Sequence, residues 1–515
     1  MSRSWVFLSI LLASSCVPAW ITPATAQVLR LSDENPSGVP KVAAPASETT
    51  PKQLLLVPEP EVSPAFRYQF WVPPLRREPG NAMAHLLRAF VMVQDVNDVQ
   101  RIQREWNEKE PQPYDLPLAE FPVEEARAYL KHFQHVLDEL KQAERVENID
   151  YDFRIKELRG TAIFATLLPE LQHARNLGRL VKLEARLAMA EGRYDDALHS
   201  LIVGFRLGEI VSSMGNKFII GKLVAVAINM MMFDEVATLV QQPGAPNLYW
   251  ALASLPDEIG QMRNALEGER LAFENTLYRV MELPSEKLST EAWQSRIVTT
   301  AADVMQLSSP QSSQQTVDPD QSAAQFAAGA LILAYGLAAK EALSDEGFSP
   351  EALDKISYAE ACVRMTRQGL VQLQSEFYKW SLVPRGDANI NDLAEQYLKK
   401  QMAQDRLNPA TIIGGLLLPA IQAAQSAGDM VLTERNRMIT IEAIRAYAAT
   451  HDNRLPSSLE KLEPLPAWRQ AGTGKPFEYE RMSDTEAVLR RDPRWPNRVD
   501  RDAETRLKLM PKPAK

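Results

Sequence analysis

The residues of this chain that could do chemistry are few. They are six histidines, two cysteines and some clustered acids among 515 residues. His132 and His135 stand three apart on a helical pattern, which puts two imidazoles on one side as zinc ligands. The sequence places no further ligands to complete a tetrahedral set. Glu170 with His173, and Asp196 with His199, are acid-x-x-His pairs, the raw material of a carboxylate di-iron bundle. That design needs an inward carboxylate from each of two other helices, for which Glu184 and Glu209 are the candidates. The plainer reading of both sets is chance spacing on amphipathic helices.

Glu267-Gly268-Glu269-Arg270 could form a paired-carboxylate acid–base site. The expectation is instead a solvated helix face with local ion pairs. Gly472-Thr473-Gly474-Lys475 lacks the spacing of a phosphate-binding loop and reads as a hairpin turn. The chain has no G-x-S-x-G nucleophile elbow. Cys362 reads as a small core residue on a helix. No catalytic, cofactor-binding or metal-ligating residue is assigned, no cofactor is expected, and the protein is expected not to be an enzyme. A metal-dependent enzyme built on the helical domain is kept as an alternative.

The elements that must position these residues are mostly helices. Hydrophobic residues make up 45% of the chain and charged residues 24%, the balance of a globular protein with a large core. The net charge of −9 argues against a nucleic-acid partner, because phosphate binding needs a basic surface. Arg3, the short apolar run Trp5 to Ala13 and Ala24-Thr25-Ala26 compose a signal peptide over 1–26. Export to a periplasmic or extracellular location is expected, with no transmembrane span in the mature chain. Ala13-Ser14-Ser15-Cys16 loosely resembles a lipoprotein box, which would give a lipid anchor on Cys16. Once the leader is removed, Cys362 is the remaining thiol, so no internal disulfide is expected.

Residues 27–65 read as a flexible linker and 66–307 as a helical repeat-like domain. Within it Ala126, Tyr129, Leu130, Phe133, Leu137 and Leu140 form one apolar stripe, expected on a helix of about five turns beginning near Pro122. Residues 308–322 are a low-complexity linker and 323–408 a further helical region. There the apolar run Phe326 to Ala339 is expected to be a buried helix, and Ser349-Pro350 a helix start. Residues 409–490 combine a long helix with a β-hairpin whose two strands hold Tyr479 and Val488, with the turn at 482–486. Residues 491–515 read as a disordered basic tail. In the loop after Pro243-Gly244-Ala245-Pro246, Asn247 is a candidate helix cap. Asn247, Tyr249 and Trp250 form the candidate partner surface; the alternative is that this short helix simply packs.

Three resemblances follow from particular residues. Ala185, Gly192, Tyr194 and Ala197 resemble the small, turn-glycine, aromatic and small positions of a tetratricopeptide hairpin, and Gly204 matches a third small position. Glu209 departs from the helix-ending proline of that family. Phe233 to Val236 echo Tyr194 to Ala197 at a 39-residue offset, without the turn glycine. The resemblance implies a TPR-like α-solenoid array whose concave face binds a protein or peptide partner. GNAMAHLLRAF, LLPELQHARNLGRL, QQPGAPNLYWALASLP and ALEGER together are similar to an uncharacterised exported bacterial helical protein family, over roughly 65–285; no activity comes with it. IEAIRAYAATHDNRLPSSLEKL with the following strands resembles a pseudopilin-like core. That implies, as an alternative, a structural subunit of a pilus-like or secretion-associated assembly. The expected fold is mainly α with a small C-terminal α+β module.

Overall fold

The computed structural model describes residues 52–510, apart from 96–97, 110, 115, 153, 155, 161–162, 164–167, 215–217, 309–320, 384–392, 395, 398–399, 401–407 and 493–502. The signal segment with Cys16, the linker up to residue 51 and nearly all of the low-complexity stretch lie outside the described residues.

The first helical layer is α1 (Ala82–Asp95), α2 (Val99–Asn107), α3 (Val123–Lys131) and α4 (Gln134–Arg145). Asn81 Oδ1 accepts the Met83 N–H at 3.1 Å, supplying a partner for an amide at the start of α1. All six residues of the stripe from Ala126 to Leu140 are buried. They do not share one helix, however. At Phe133 the backbone swings to φ −112°, ψ 13°, and the chain breaks between α3 and α4. The Phe133 ring is buried at this joint, 5.1 Å from Tyr129, which in turn stacks on Trp106 at 4.5 Å. An aromatic cluster thus fixes a bend that periodicity alone does not show.

The second layer is α5 (Leu168–Ala190), α6 (Tyr194–Met214) and α7 (Ile219–Leu239). The α5–α6 turn has the expected form. Gly192 takes φ +71°, its N–H reaches Met189 O at 3.0 Å, and Arg193 N–H reaches Ala188 O at 2.8 Å. These are the two bonds of a Schellman end, which needs the left-handed residue glycine tolerates. Ala185 and Ala197 are fully buried. Gly204 is also a close-contact position, but toward α7: a Cβ there would lie 2.0 Å from Met232 Sδ. The echo at Phe233 to Val236 lies inside α7, with no turn before it, so it does not begin a second hairpin. Each of α5, α6 and α7 packs on the other two.

Next come α8 (Tyr249–Ala253), α9 (Arg263–Thr276), α10 (Tyr278–Met281), α11 (Thr290–Ser308), α12 (Gln321–Asp345), α13 (Pro350–Lys355) and α14 (Tyr358–Lys379). Ser349 caps α13 from Ala352 N–H with Pro350 at its first position, as expected. The expectation that the run 326–339 is buried fails. Helix α12 rests Ala328, Ala339 and Leu343 on its neighbours but exposes Phe326, Leu333 and Leu337 at 76%, 88% and 70%. By length and composition, Ser322–Asp345 is apolar enough to cross a membrane. An alanine-rich helix lying on the α11–α14 pair has a second side that nothing among the described residues covers.

Helix α15 (Ala410–Thr450) runs 41 residues and packs against α7, α8 and α14. Strands β4 (Glu478–Arg481) and β5 (Glu486–Arg490) form the expected hairpin, with Tyr479 opposite Leu489 and Glu480 opposite Val488. Two further strands complete the sheet, in the order β1-β6-β5-β4. They are β1 (Lys52–Leu56) and β6 (Glu504–Leu509). The linker and tail assignments are thereby corrected at 52–56 and 504–509. Leu54, Leu56, Thr505, Leu507 and Leu509 point inward while their neighbours point out, the alternation that binds a strand to a one-sided sheet. A separate short parallel pair joins β2 (Glu78–Asn81) to β3 (Val146–Asn148).

Candidate functional site

A cavity of about 930 Å³ opens between α6 and α7 on one side and α9 and the end of α14 on the other. That is the volume of a small-ligand or peptide-segment site. Gly208 makes its wall thin: a Cβ there would fall 2.3 Å from Asn229 Oδ1, so α6 and α7 approach closely enough to bring α7 side chains to the cavity. Trp71, Phe205, Leu255 and Leu382 supply apolar lining, and Ser212, Lys222, Asn229 and Glu258 supply polar lining.

Lys222 lies in the first turn of α7 and is 2% exposed. Its Nζ donates to Ser212 Oγ at 2.9 Å and to the backbone oxygen of Glu258. Burial pushes its pKa down to about 8, with the Glu258 charge opposing part of that shift. An ammonium has three N–H donors, so two partners leave one for a group in the cavity. Asn229 is 1% exposed, and its Oδ1 has no hydrogen-bond partner among the described residues. A buried amide oxygen left so is costly unless something else satisfies it.

Several of the surrounding charges are already paired. Glu209 meets Arg77 at 3.1 Å and Arg206 at 2.6 Å. Arg270 holds Glu267 at 2.5 Å and Glu274 at 2.6 Å, and its hydrogen bond keeps the Glu267 carboxyl below the usual range. Glu269 does something different: its carboxylate accepts the Ile219 N–H at 3.1 Å, capping α7, while burial raises its pKa. The Glu267–Glu269 cluster is thus an ion-paired rim residue and a helix cap, not a pair of facing acids.

The other residues named from sequence are dispersed. His132 and His135 are both exposed, on either side of the Phe133 bend. His173 packs near Phe90, with ring centroids 5.9 Å apart. Asp196 is exposed and bonded to Arg193, while Glu184 is taken by Lys141 at 2.7 Å and Ser200 at 3.1 Å. Glu209 sits ten residues beyond His199, about 15 Å along α6. Among the described side chains the candidate di-iron set is not brought together; the Glu170 side chain lies outside them. Cys362 is buried, and burial pushes its thiol up to about 11.

The candidate surface Asn247, Tyr249 and Trp250 is corrected. Asn247 and Tyr249 are 3% and 2% exposed, and only Trp250 reaches solvent in part. Asn247 does serve the turn of α8, its Oδ1 accepting the Tyr249 N–H at 3.0 Å. Its Nδ2 donates to Glu442 O and Glu59 O, and Tyr249 Oη donates to Pro466 O. The loop is an internal joint, because α15 covers it. Tyr194 is half-buried and donates to Pro243 O at 3.1 Å, tying the hairpin turn to the same loop. Lys222 and Asn229 had a signal in the sequence: α7 carries one lysine and one asparagine, seven apart, in an otherwise apolar IIGKLVAVAINMMMF. Compared with protein-family models, curated proteins and solved structures, the chain matches none.

Proposed function

We propose that this is an exported, non-enzymatic scaffold that binds a peptide segment, free or part of a protein partner, in the cavity beside α6 and α7. The observation that carries the reading is the leftover polarity of that cavity: a spare Lys222 donor and an unpartnered Asn229 acceptor among aromatic and aliphatic walls. A peptide offers both complements along one backbone, with side chains for the apolar lining. The binding site lies on the α6–α7 contact in place of the concave face of a repeat array.

The second reading is a subunit of a pilus-like or secretion-associated assembly, favoured by the order of α15, β4 and β5. It is the weaker one. Helices α7, α8 and α14 and the β1 segment already pack around α15, leaving less of it for other copies.

The test is selection from a random displayed-peptide library by residues 27–515. A defined peptide class is expected, lost in Ser213→Trp, which fills the cavity from its wall, and kept in Leu333→Ser on α12. Selection that ignores Ser213→Trp, or no selection, would end the proposal.

A further inference from the structure

Lys222 is a buried cation held by a hydroxyl and a carbonyl rather than by a carboxylate. The charged and titratable groups around it are Glu209 on α6, Glu258 in the short turn before α9, Arg263 and Glu267 on α9, and Tyr378 and Lys379 at the end of α14. Glu209 is spent on Arg77 and Arg206, Glu267 on Arg270, and Lys379 on Glu376 at 2.6 Å. Of the cavity cations without a carboxylate partner among the described residues, Arg263 is exposed and Lys222 is buried. One buried cation with acids already close by suits a single negative charge and disfavours a doubly charged phosphate.

The spacing narrows the class further. Ser212 and Gly208, against which the Lys222 and Asn229 head groups lie, are four residues apart on α6, about 6 Å. Lys222 and Asn229 themselves are seven apart on α7, about 10 Å. At about 3.3 Å per extended residue, that separates an anion from an N–H donor by two or three peptide residues.

We propose that the cavity recognises the free C-terminal carboxylate of a peptide, with Lys222 as its counter-ion and Asn229 Oδ1 accepting a backbone N–H two or three residues upstream. The proposal rests on the peptide-binding reading above and adds the ligand's chemical class. Because the counter-ion is also a proton donor of unusual acidity for a lysine, binding weakens once the solution is alkaline enough to discharge it.

The experiment uses residues 27–515 and two synthetic libraries of N-acetylated random hexapeptides, one with a free C-terminus and one amidated. At pH 7, retention of the free-carboxylate library should exceed that of the amidated one by tenfold or more, and by pH 9.5 the affinity of the retained peptides should fall by a similar factor. Lys222→Met should abolish the discrimination, Lys222→Arg should keep it without the loss at pH 9.5, and folding of each is checked by circular dichroism. Equal retention of both libraries would overturn the carboxylate assignment and leave peptide binding standing. Retention of neither would overturn both. Discrimination that survives in Lys222→Met, or loss of it in a folded Lys222→Arg, would also overturn the assignment.

Discussion

Glu442 and Arg445, one turn apart on α15, form an ion pair in which neither side chain has any exposure. Arg445 Nη1 donates to both carboxylate oxygens of Glu442, at 2.9 and 2.8 Å. The same guanidinium donates to Val57 O at 2.8 Å and to Ala245 O at 3.1 Å. One arginine therefore ties the segment after β1 and the loop before α8 to the C-terminal helix. Arg445→Met leaves a buried carboxylate and several carbonyls without their donor, and should cost about 3–5 kcal/mol. Denaturant unfolding measures it; a cost under about 1 kcal/mol would mean the joint is not a fastening point.

Lys222 should be a liability to the empty protein. Its folded pKa, about 8, lies below the unfolded value, so the folded state loses its proton first. Below pH 8 both states are charged and the penalty is full. Between 8 and 10.5 the unfolded chain binds more protons, and stability rises with pH. Lys222→Met should therefore stabilise the protein by on the order of 3 kcal/mol near pH 7, with the advantage shrinking as pH rises toward 10.5. Parallel melts of both proteins from pH 6 to 10 would show it; a constant difference would refute it.

Glycine to alanine should act with opposite signs at two places. Gly192 has φ +71°, where a Cβ is strained although the space around it is open, and alanine there should cost about 1–2 kcal/mol. Gly329 lies within α12 with open space around it, and alanine should gain about 0.5–1 kcal/mol. Equal shifts in melting temperature would contradict this account.

Strand β6 lies between β1 and β5, so residues 504–509 are not dispensable. Removing 503–515 unpairs both neighbours and uncovers Leu54 and Leu489, which are 1% exposed. The truncated protein should lose protection of β1 and β5 amides in hydrogen exchange and melt well below the full chain. Unchanged protection would mean that β1 and β5 do not depend on β6.

Much of this architecture was readable where a local signal sufficed. Gly192 with its flanking helices, Ser349-Pro350 and the β4–β5 hairpin each carry their reason within a few residues. The bend at Phe133 was not readable, because the apolar stripe continues through it. Strands β1 and β6 were missed because proline-rich and basic surroundings outweighed five and six residues of alternation. The cavity was missed for a different reason. Ser212, Lys222 and Asn229 become a group only when Gly208 lets two helices touch, and that approach is a tertiary fact. For the same reason the loop at Asn247 looked like a surface: the helix that buries it comes some 190 residues later in the chain.

The parallel pairing of β1 with β6 sets a condition on biogenesis. Lys52 faces Thr505 across roughly 450 residues of intervening chain. A polypeptide delivered N-terminus first must therefore keep β1 as an open edge until residues 504–509 arrive. The β1–β6 pairing is of high contact order and should close late, while the α5–α6 hairpin can form from neighbours alone. Until then Leu54 and Leu56 have no sheet to sit in, and a chaperone that shields hydrophobic strands would find its substrate there.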